Sequence, residues 1–278
     1  MNSIVTRFAP SPTGLLHLGH AHSALFAAEQ AGGGRLLLRI EDIDRGRCRP
    51  EFDAAATEDL AWLGLAWETP VRRQSEHMDD YARALDTLAA TGLLYPCFCT
   101  RREIEAEVTA ASIAPHGSDG TSYPGTCRTR TEAERADKIA SGLPFALRLD
   151  VAAALRRTGP LAWTDRARGE QAARPDLFGD VVLARKDVMT SYHLAVTVDD
   201  AIQGVTLVTR GEDLFAATHV HRLLQALLDL PVPGYHHHRL LTDATGRRLA
   251  KRDRALTIRA LREAGKTPAA VRALAGFG

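Results

Sequence analysis

The 278-residue chain lacks a strong charge of either sign: 35 lysines and arginines against 34 acids leave a formal net charge of +1. A long-range basic field for gathering nucleic acid is therefore excluded, and any such partner must be held by local patches. Cysteine is scarce. Cys48, Cys97, Cys99 and Cys127 are unevenly grouped, which argues against a secreted disulfide scaffold. No stretch approaches the roughly 20 apolar residues of a membrane helix, and the first residues enter a β-prone run without a signal peptide's apolar core. Repeats and low-complexity tracts are also missing. With 45% hydrophobic and 25% charged residues, a cytoplasmic globular protein of one elaborated domain or two small ones is expected, with no membrane partner.

What is present is an alternation of strand and helix signals. Ile4, Val5 and Phe8 form a β-prone run around Arg7, and Leu18 to Gln30 reads as a helix stopped by Gly32, Gly33 and Gly34. Arg35 to Ile40 is a compact β run. Phe52 to Leu63 and Met78 to Ala89 carry apolar residues at helical spacing. This pattern predicts an α/β fold with a parallel sheet. From Tyr95 to about Arg185 it breaks, which suggests an inserted module over 96–185 between catalytic halves at 1–95 and 186–254. In the second half, Leu194, Val198 and Ile202 mark a helix and Val205 to Thr209 a strand. A helix over Asp213 to Leu228 and a short strand from His236 to Leu241 follow.

Residues Pro10-Ser11-Pro12-Thr13-Gly14-Leu15-Leu16-His17-Leu18-Gly19-His20 form a turn between the first strand and the first helix. Unpaired N–H groups at a helix start favour a phosphate, His17 and His20 can reach it from one face, and Gly19 permits close approach. A second basic segment, Arg248-Leu249-Ala250-Lys251-Arg252, lies near the other end. Together the two segments resemble the paired signatures of class I aminoacyl-tRNA synthetases, and Arg7 to Gly14 is similar to the glutamyl branch. The resemblance implies a Rossmann-like core in which a substrate carboxylate attacks the α-phosphorus of ATP, supplied with Mg. His17, Gly19, His20 and Lys251 would serve ATP and the developing phosphate charge. Arg248 and Ala250 depart from the usual Lys-x-Ser-Lys pattern, so the positive charge is kept in a different geometry and a hydroxyl is lost.

By the same resemblance Arg7, Ser11, Glu41, Tyr192 and Arg210 fall on glutamate-binding positions. Arginines suit the carboxylates, and Glu41 suits the ammonium group. Cys97-x-Cys99 and Tyr123-x-x-x-Cys127 offer three thiolates and a phenolate. Residue types alone leave zinc ligation and free buried cysteines both open; the same arrangement in short glutamyl-synthetase paralogues implies one structural zinc site, with His116 as the alternative to Tyr123. Cys48 is not expected to join it.

His236, His237 and His238 are read as structural or surface histidines, since no acidic partner is evident nearby, and Trp62 and Trp67 as packing residues. Arg45, Arg47 and Arg49, the pair Arg72 and Arg73, and the segment from Arg247 to Arg254 are candidate RNA contacts or solvated faces.

Only residues 253–278 follow the second signature, enough for short helices around Ala255 to Ala264 and Pro268 to Leu274 in a C-terminal segment over 255–278. An anticodon-binding domain is not expected. The chain thus resembles the glutamyl-queuosine tRNA(Asp) synthetases, a paralogous family consisting essentially of the catalytic core. That resemblance implies activation of glutamate without tRNA and transfer to queuosine in the anticodon of tRNA(Asp). A monomer is expected. A minimal glutamyl-tRNA synthetase charging the tRNA 3′ end and an inactive nucleotide- or RNA-binding paralogue are the alternatives.

Overall fold

The computed structural model describes residues 3–100, 102–103, 116–117, 120–121, 123, 125–241 and 257–278. Strands β1 (Val5–Phe8), β2 (Arg35–Ile40) and β3 (Glu68–Arg73) form a parallel sheet in that order. Helix α1 (Leu18–Ala31) returns between β1 and β2, and α2 (Pro50–Trp62) returns between β2 and β3. The strand–helix alternation legible in the first 95 residues has this cause: every parallel crossover needs a covering helix. Helix α1 ends at Gly32, whose φ of 56° is a left-handed cap that glycine adopts without steric cost. Its sheet-facing residues Ala21, Ala24 and Ala27 are fully buried, and small side chains there let the helix lie close to the sheet. Thr6 Oγ1 donates to Ala27 O at 2.9 Å across that contact.

After α3 (Met78–Ala89) the chain enters the central segment. Strands β4 (Leu94–Cys97), β7 (Ala146–Leu149) and β10 (Val182–Ala184) make an antiparallel sheet in the order β10-β7-β4. A small hairpin pairs β5 (His116–Gly117) with β6 (Gly120–Thr121). The capped helix α4 (Glu132–Ala140) precedes β7, and α5 (Val151–Thr158) follows it. The antiparallel hairpin of β8 (Ala162–Asp165) and β9 (Gly169–Ala172) leaves this group and joins another sheet, ordered β11-β12-β8-β9.

In that sheet β11 (Leu207–Gly211) and β12 (Gly234–His238) run parallel, with α7 (Ala217–Leu227) between them in sequence and α6 (Tyr192–Ile202) preceding β11. Strand β11 abuts β1. Thr206 N donates to Val5 O at 3.0 Å at one end, and Arg7 Nη1 donates to Thr209 O at 2.9 Å at the other, so both strands point the same way. The chain crosses to opposite sides of this junction after β1 and after β11. In open α/β sheets a ligand crevice lies at such a switch, beyond the strands' carboxyl ends.

The two largest apolar clusters among the described residues hold these layers. Leu25, Leu38, Ile40, Leu60 and Leu63 pack with Ile258 and Val271 of the terminal helices α8 (Ile258–Glu263) and α9 (Pro268–Leu274). Leu88, Leu149, Leu183, Leu194 and Val220 fill the space between α3, α6, α7 and the antiparallel sheet. Each such side chain contributes about 1.5–3 kcal/mol on burial. Trp62 and Trp67 pack against the first cluster, in line with the packing role read for them. No helix among the described residues is long and apolar enough to cross a membrane.

Candidate active site

A cavity of about 590 Å³ opens at the switch between β1 and β11. Nine of the candidate site and signature residues line it together: Arg7, Pro10, Ser11, His17, Gly19, His20, Glu41, Tyr192 and Arg210. Lys251 and the whole Arg248-Leu249-Ala250-Lys251-Arg252 segment lie outside the described residues. His22, Asp213 and His238 also line the cavity, and nothing in their local sequence pointed there.

The turn before α1 forms one wall. Glu41 N donates to Pro10 O at 3.0 Å and Arg49 N to Pro12 O at 3.0 Å, which fastens the prolines of the turn to the end of β2 and to the start of α2. His17 caps the helix, its Nδ1 accepting from Gly19 N at 3.0 Å, while His20 Nδ1 accepts from His17 N at 3.2 Å. An imidazole that accepts at Nδ1 carries its proton on Nε2 when neutral, so the two rings become Nε2–H donors. They stack with centroids 3.8 Å apart. A side chain at position 19 would put Cβ 2.9 Å from His17 Cε1. Gly19 therefore makes room for the capping ring as well as for a ligand.

A cluster of charges surrounds the lining residues Arg7 and Glu41. Asp200 Oδ1 accepts from Arg7 Nε at 3.0 Å and from Arg39 Nη1 at 2.8 Å. Arg39, fully buried, also approaches Glu41 at 3.3 Å and Asp199 at 3.7 Å. Burial alone would lower the Arg39 pKa, but the carboxylates of Asp200, Glu41 and Asp199 outweigh it and hold the guanidinium charged. Glu41 is pushed up because burial outweighs the attraction of Arg39 and Arg7. Asp200 goes the other way: burial would raise it, and Arg7 and Arg39 bring it below the ordinary carboxylate range.

Arg210 differs from Arg7. It is 6% exposed, and its partners are neutral: His237 Nε2 at 3.2 Å, His221 Nδ1 at 3.2 Å, Thr218 Oγ1 at 2.6 Å and Tyr192 OH at 3.4 Å. Among the described residues no carboxylate pairs with it. A buried cation without a counter-charge is costly, and an anion arriving in the cavity would relieve that cost. The structure corrects one expectation here. His237 does have an acidic partner, Asp165, 2.7 Å from its Nδ1 and supplied by β8 from 72 positions upstream. Its Nε2 faces Arg210 Nε. His236 instead meets Gln30 Oε1 at 3.0 Å, and His238 Nδ1 meets Arg239 O at 3.0 Å.

The cysteines converge elsewhere. Cys97, Cys99 and Cys127 bring their sulfurs within 4.8 Å of one another, with Cys99 Sγ 3.5 Å from Cys127 Sγ and 3.7 Å from the Tyr123 hydroxyl. Cys127 N donates to that hydroxyl at 2.7 Å, and Arg148 lies over the Tyr123 ring at 3.9 Å. Burial pushes the Cys99 thiol up to about 12. Burial would raise Cys127 too, but hydrogen bonds from Tyr123, the Phe98 backbone, Cys99 and Arg130 bring it down to about 6. Three sulfurs thus cluster, with the Tyr123 hydroxyl beside Cys99. Cys48 is apart, facing Glu41 O at 3.9 Å, and the side chain of His116 lies outside the described residues.

Residues 3–278 match the family described as tRNA synthetases class I (E and Q), catalytic domain. The chain belongs to this family. It is 50% identical to a glutamyl-Q tRNA(Asp) synthetase of Rhodobacter capsulatus, over 99% of this chain and 100% of that protein. A glutamate–tRNA ligase of Aquifex aeolicus is 40% identical over 98% of this chain and 56% of its own length. Among solved structures, the glutamate–tRNA synthetase of Elizabethkingia anophelis superimposes with a TM-score of 0.78 at 29% identity, covering 91% of this chain and 53% of that one. The α/β class I catalytic fold and an ATP-dependent ligase chemistry follow from this membership.

Of the basic clusters, Arg72 is spent on Asp199 and Asp80, and Arg73 on Asp53. Arg47 pairs with Asp44. Arg45 and Arg49 meet only backbone oxygens among the described residues, and both are exposed.

Proposed function

We propose that this protein activates glutamate with ATP in the absence of tRNA and transfers it to the queuosine base in the anticodon of tRNA(Asp). The observation that carries the amino-acid half is Arg210, a buried guanidinium on the cavity wall whose partners among the described residues are all neutral. A dicarboxylic substrate supplies the missing negative charge, and Glu41 across the cavity suits its ammonium group. Glutamine would leave that charge unmet, and polar sites of this kind discriminate by roughly 10⁴.

In the first step a glutamate carboxylate oxygen bonds to the α-phosphorus of ATP while the bond to the pyrophosphate oxygen breaks, and pyrophosphate leaves with the electron pair. The Nε2–H groups of His17 and His20 and the amino end of α1 meet the added phosphate charge. Lys251, by resemblance, adds a further cation. In the second step a hydroxyl of the queuosine cyclopentene-diol attacks the acyl carbon, AMP departs, and the hydroxyl proton passes to solvent. Support for this acceptor comes from the Rhodobacter capsulatus relative, which bears the glutamyl-Q name and aligns over its whole length.

The cysteine cluster suits zinc. Cys97, Cys99, Cys127 and Tyr123 would hold the ion, and four protein donors would leave no position for water, so the ion would be structural, tying β4 to the loop that carries Cys127. We further propose that the chain works as a monomer and that 96–185 acts as a module inserted between the catalytic halves.

Two measurements test the assignment. Glutamate-dependent ATP–pyrophosphate exchange without tRNA should be detectable and should collapse in Arg210→Ala, with a much smaller change in the KM for ATP. Labelled glutamate should then appear on the anticodon loop of queuosine-containing tRNA(Asp). Label on the 3′-terminal adenosine would mark a minimal glutamyl-tRNA synthetase, and absence of exchange with any amino acid a binding protein.

A further inference from the structure

Arg210 is oriented by a chain of histidines that the proposed chemistry does not use. His237 Nδ1 faces Asp165 Oδ2 at 2.7 Å, and the same carboxylate oxygen accepts from His237 N at 3.1 Å. A carboxylate only accepts, so the imidazole proton sits on Nδ1 and Nε2 is left as an acceptor toward Arg210 Nε. On the other side His221 Nδ1 accepts from Arg210 Nη1, so its proton sits on Nε2, facing His193 Nδ1 at 3.1 Å. A guanidinium has five donors and no acceptor, so the atoms that orient it must all accept.

We propose that His237 and His221 are positioning residues for the amino-acid substrate. Held as opposite neutral tautomers, they aim the Arg210 guanidinium without cancelling its charge. The inference rests on the glutamate-activation reading and adds to it the reason that Arg210 stays available to an anion. An aspartate or glutamate in place of either histidine would orient the guanidinium equally well, but it would supply the counter-charge internally. Neutral acceptors give the geometry and leave the positive charge to the ligand. Burial and the adjacent Arg210 push His237 down to about 4 and His221 well below the ordinary histidine range, which keeps both rings neutral. Each ring is buried, at 4% and 3% exposure.

The experiment separates hydrogen bonding from shape. His237 meets Arg210 through Nε2, a position that a glutamine amide oxygen can reach, and His221 meets it through Nδ1, which an asparagine oxygen can reach. Loss of a hydrogen bond to a charged group predicts a rise of about 10- to 100-fold in the KM for glutamate in His237→Leu and in His221→Leu. The KM for ATP should stay within about twofold, and His237→Gln and His221→Asn should recover most of the loss. An unchanged KM for glutamate in the leucine variants, or equal rises for glutamate and ATP, would overturn the proposal. Nitrogen-15 NMR of the wild-type imidazoles provides a readout independent of variant folding. The Nδ1–H form for His237 and the Nε2–H form for His221 are expected, and the reverse for either also overturns it. Wild-type protein that exchanges no pyrophosphate with glutamate would sink the functional reading instead, with the tautomers still deciding the role of the histidines.

Discussion

Asp200 anchors Arg7: its Oδ1 accepts from Arg7 Nε at 3.0 Å, and the same oxygen accepts from Arg39 at 2.8 Å. One carboxylate from α6 thus fixes two arginines from neighbouring strands β1 and β2. Arg7 faces the cavity with its charge already met, which distinguishes it from Arg210.

Asp200→Asn should leave buried Arg7 without its carboxylate partner and take one of three from Arg39, which keeps Glu41 and Asp199. A loss of about 3–5 kcal/mol is expected, read as a lower urea midpoint at pH 7. The wild-type carboxyl titrates below its unfolded value of about 4, so its stabilisation is present above that pH and is lost as pH falls through the lower folded value. The stability gap between wild type and variant should accordingly close on the acid side. A constant gap from pH 7 to pH 3 would contradict the pairing.

Glu41 presents the opposite balance. Burial holds its pKa up, so the charged form is a cost to folding at neutral pH. Glu41→Gln should keep or raise the thermal midpoint while raising the KM for glutamate, because the acceptor for the ammonium group loses its charge. A variant that melts lower and binds glutamate normally would remove Glu41 from the site.

Asp59 on α2 is fully buried, and neither carboxylate oxygen has a hydrogen-bond partner. Burial, only partly offset by Arg262 at 3.7 Å, raises it to about 6. A raised folded value means that its contribution is complete below the unfolded value of about 4 and declines as pH rises through about 6. Asp59→Asn should therefore melt higher than wild type at pH 8, and the advantage should shrink at pH 5. Thermal denaturation at the two pH values tests this directly.

Cys97→Ser combined with Cys99→Ser removes two of four donors. Protein purified without chelators should carry about one zinc per wild-type chain and none in the double variant. Protease should cut the variant faster between β4 and β7. Metal-free wild-type protein would refute the zinc assignment.

The local elements were legible because they are governed by local chemistry. The alanine-rich run before Gly32 bounds α1 within one residue of its observed end, and β2 occupies the expected Arg35–Ile40. Strand β11 begins at Leu207 and not at Val205, because Val205 N is taken by Asp200 O at 2.9 Å as the chain leaves α6. The expected helix from Asp213 begins instead as a single 3₁₀ turn over Glu212–Leu214, and α7 starts at Ala217. Strand β12 ends at His238, short of Leu241.

The cavity residues were readable only through the family resemblance, since a His-x-Gly-His spacing recurs by chance and Glu41 and Arg210 alone read as ordinary ion-pair residues. Their supports were not. Asp200 lies 193 positions from Arg7 and Asp165 lies 72 from His237, and no periodicity links residues that meet only after the sheets assemble.

The meeting of β8 with β12 has one more consequence. Beyond β12 the parallel sheet would end in an open row of backbone donors and acceptors, the kind of border on which chains aggregate. Arg166 N takes Tyr235 O at 2.8 Å, and the Asp165 carboxylate takes His237 N, so the border is sealed by a turn and a side chain. Excising the β8–β9 hairpin would unseal that border, and the first symptom should be self-association.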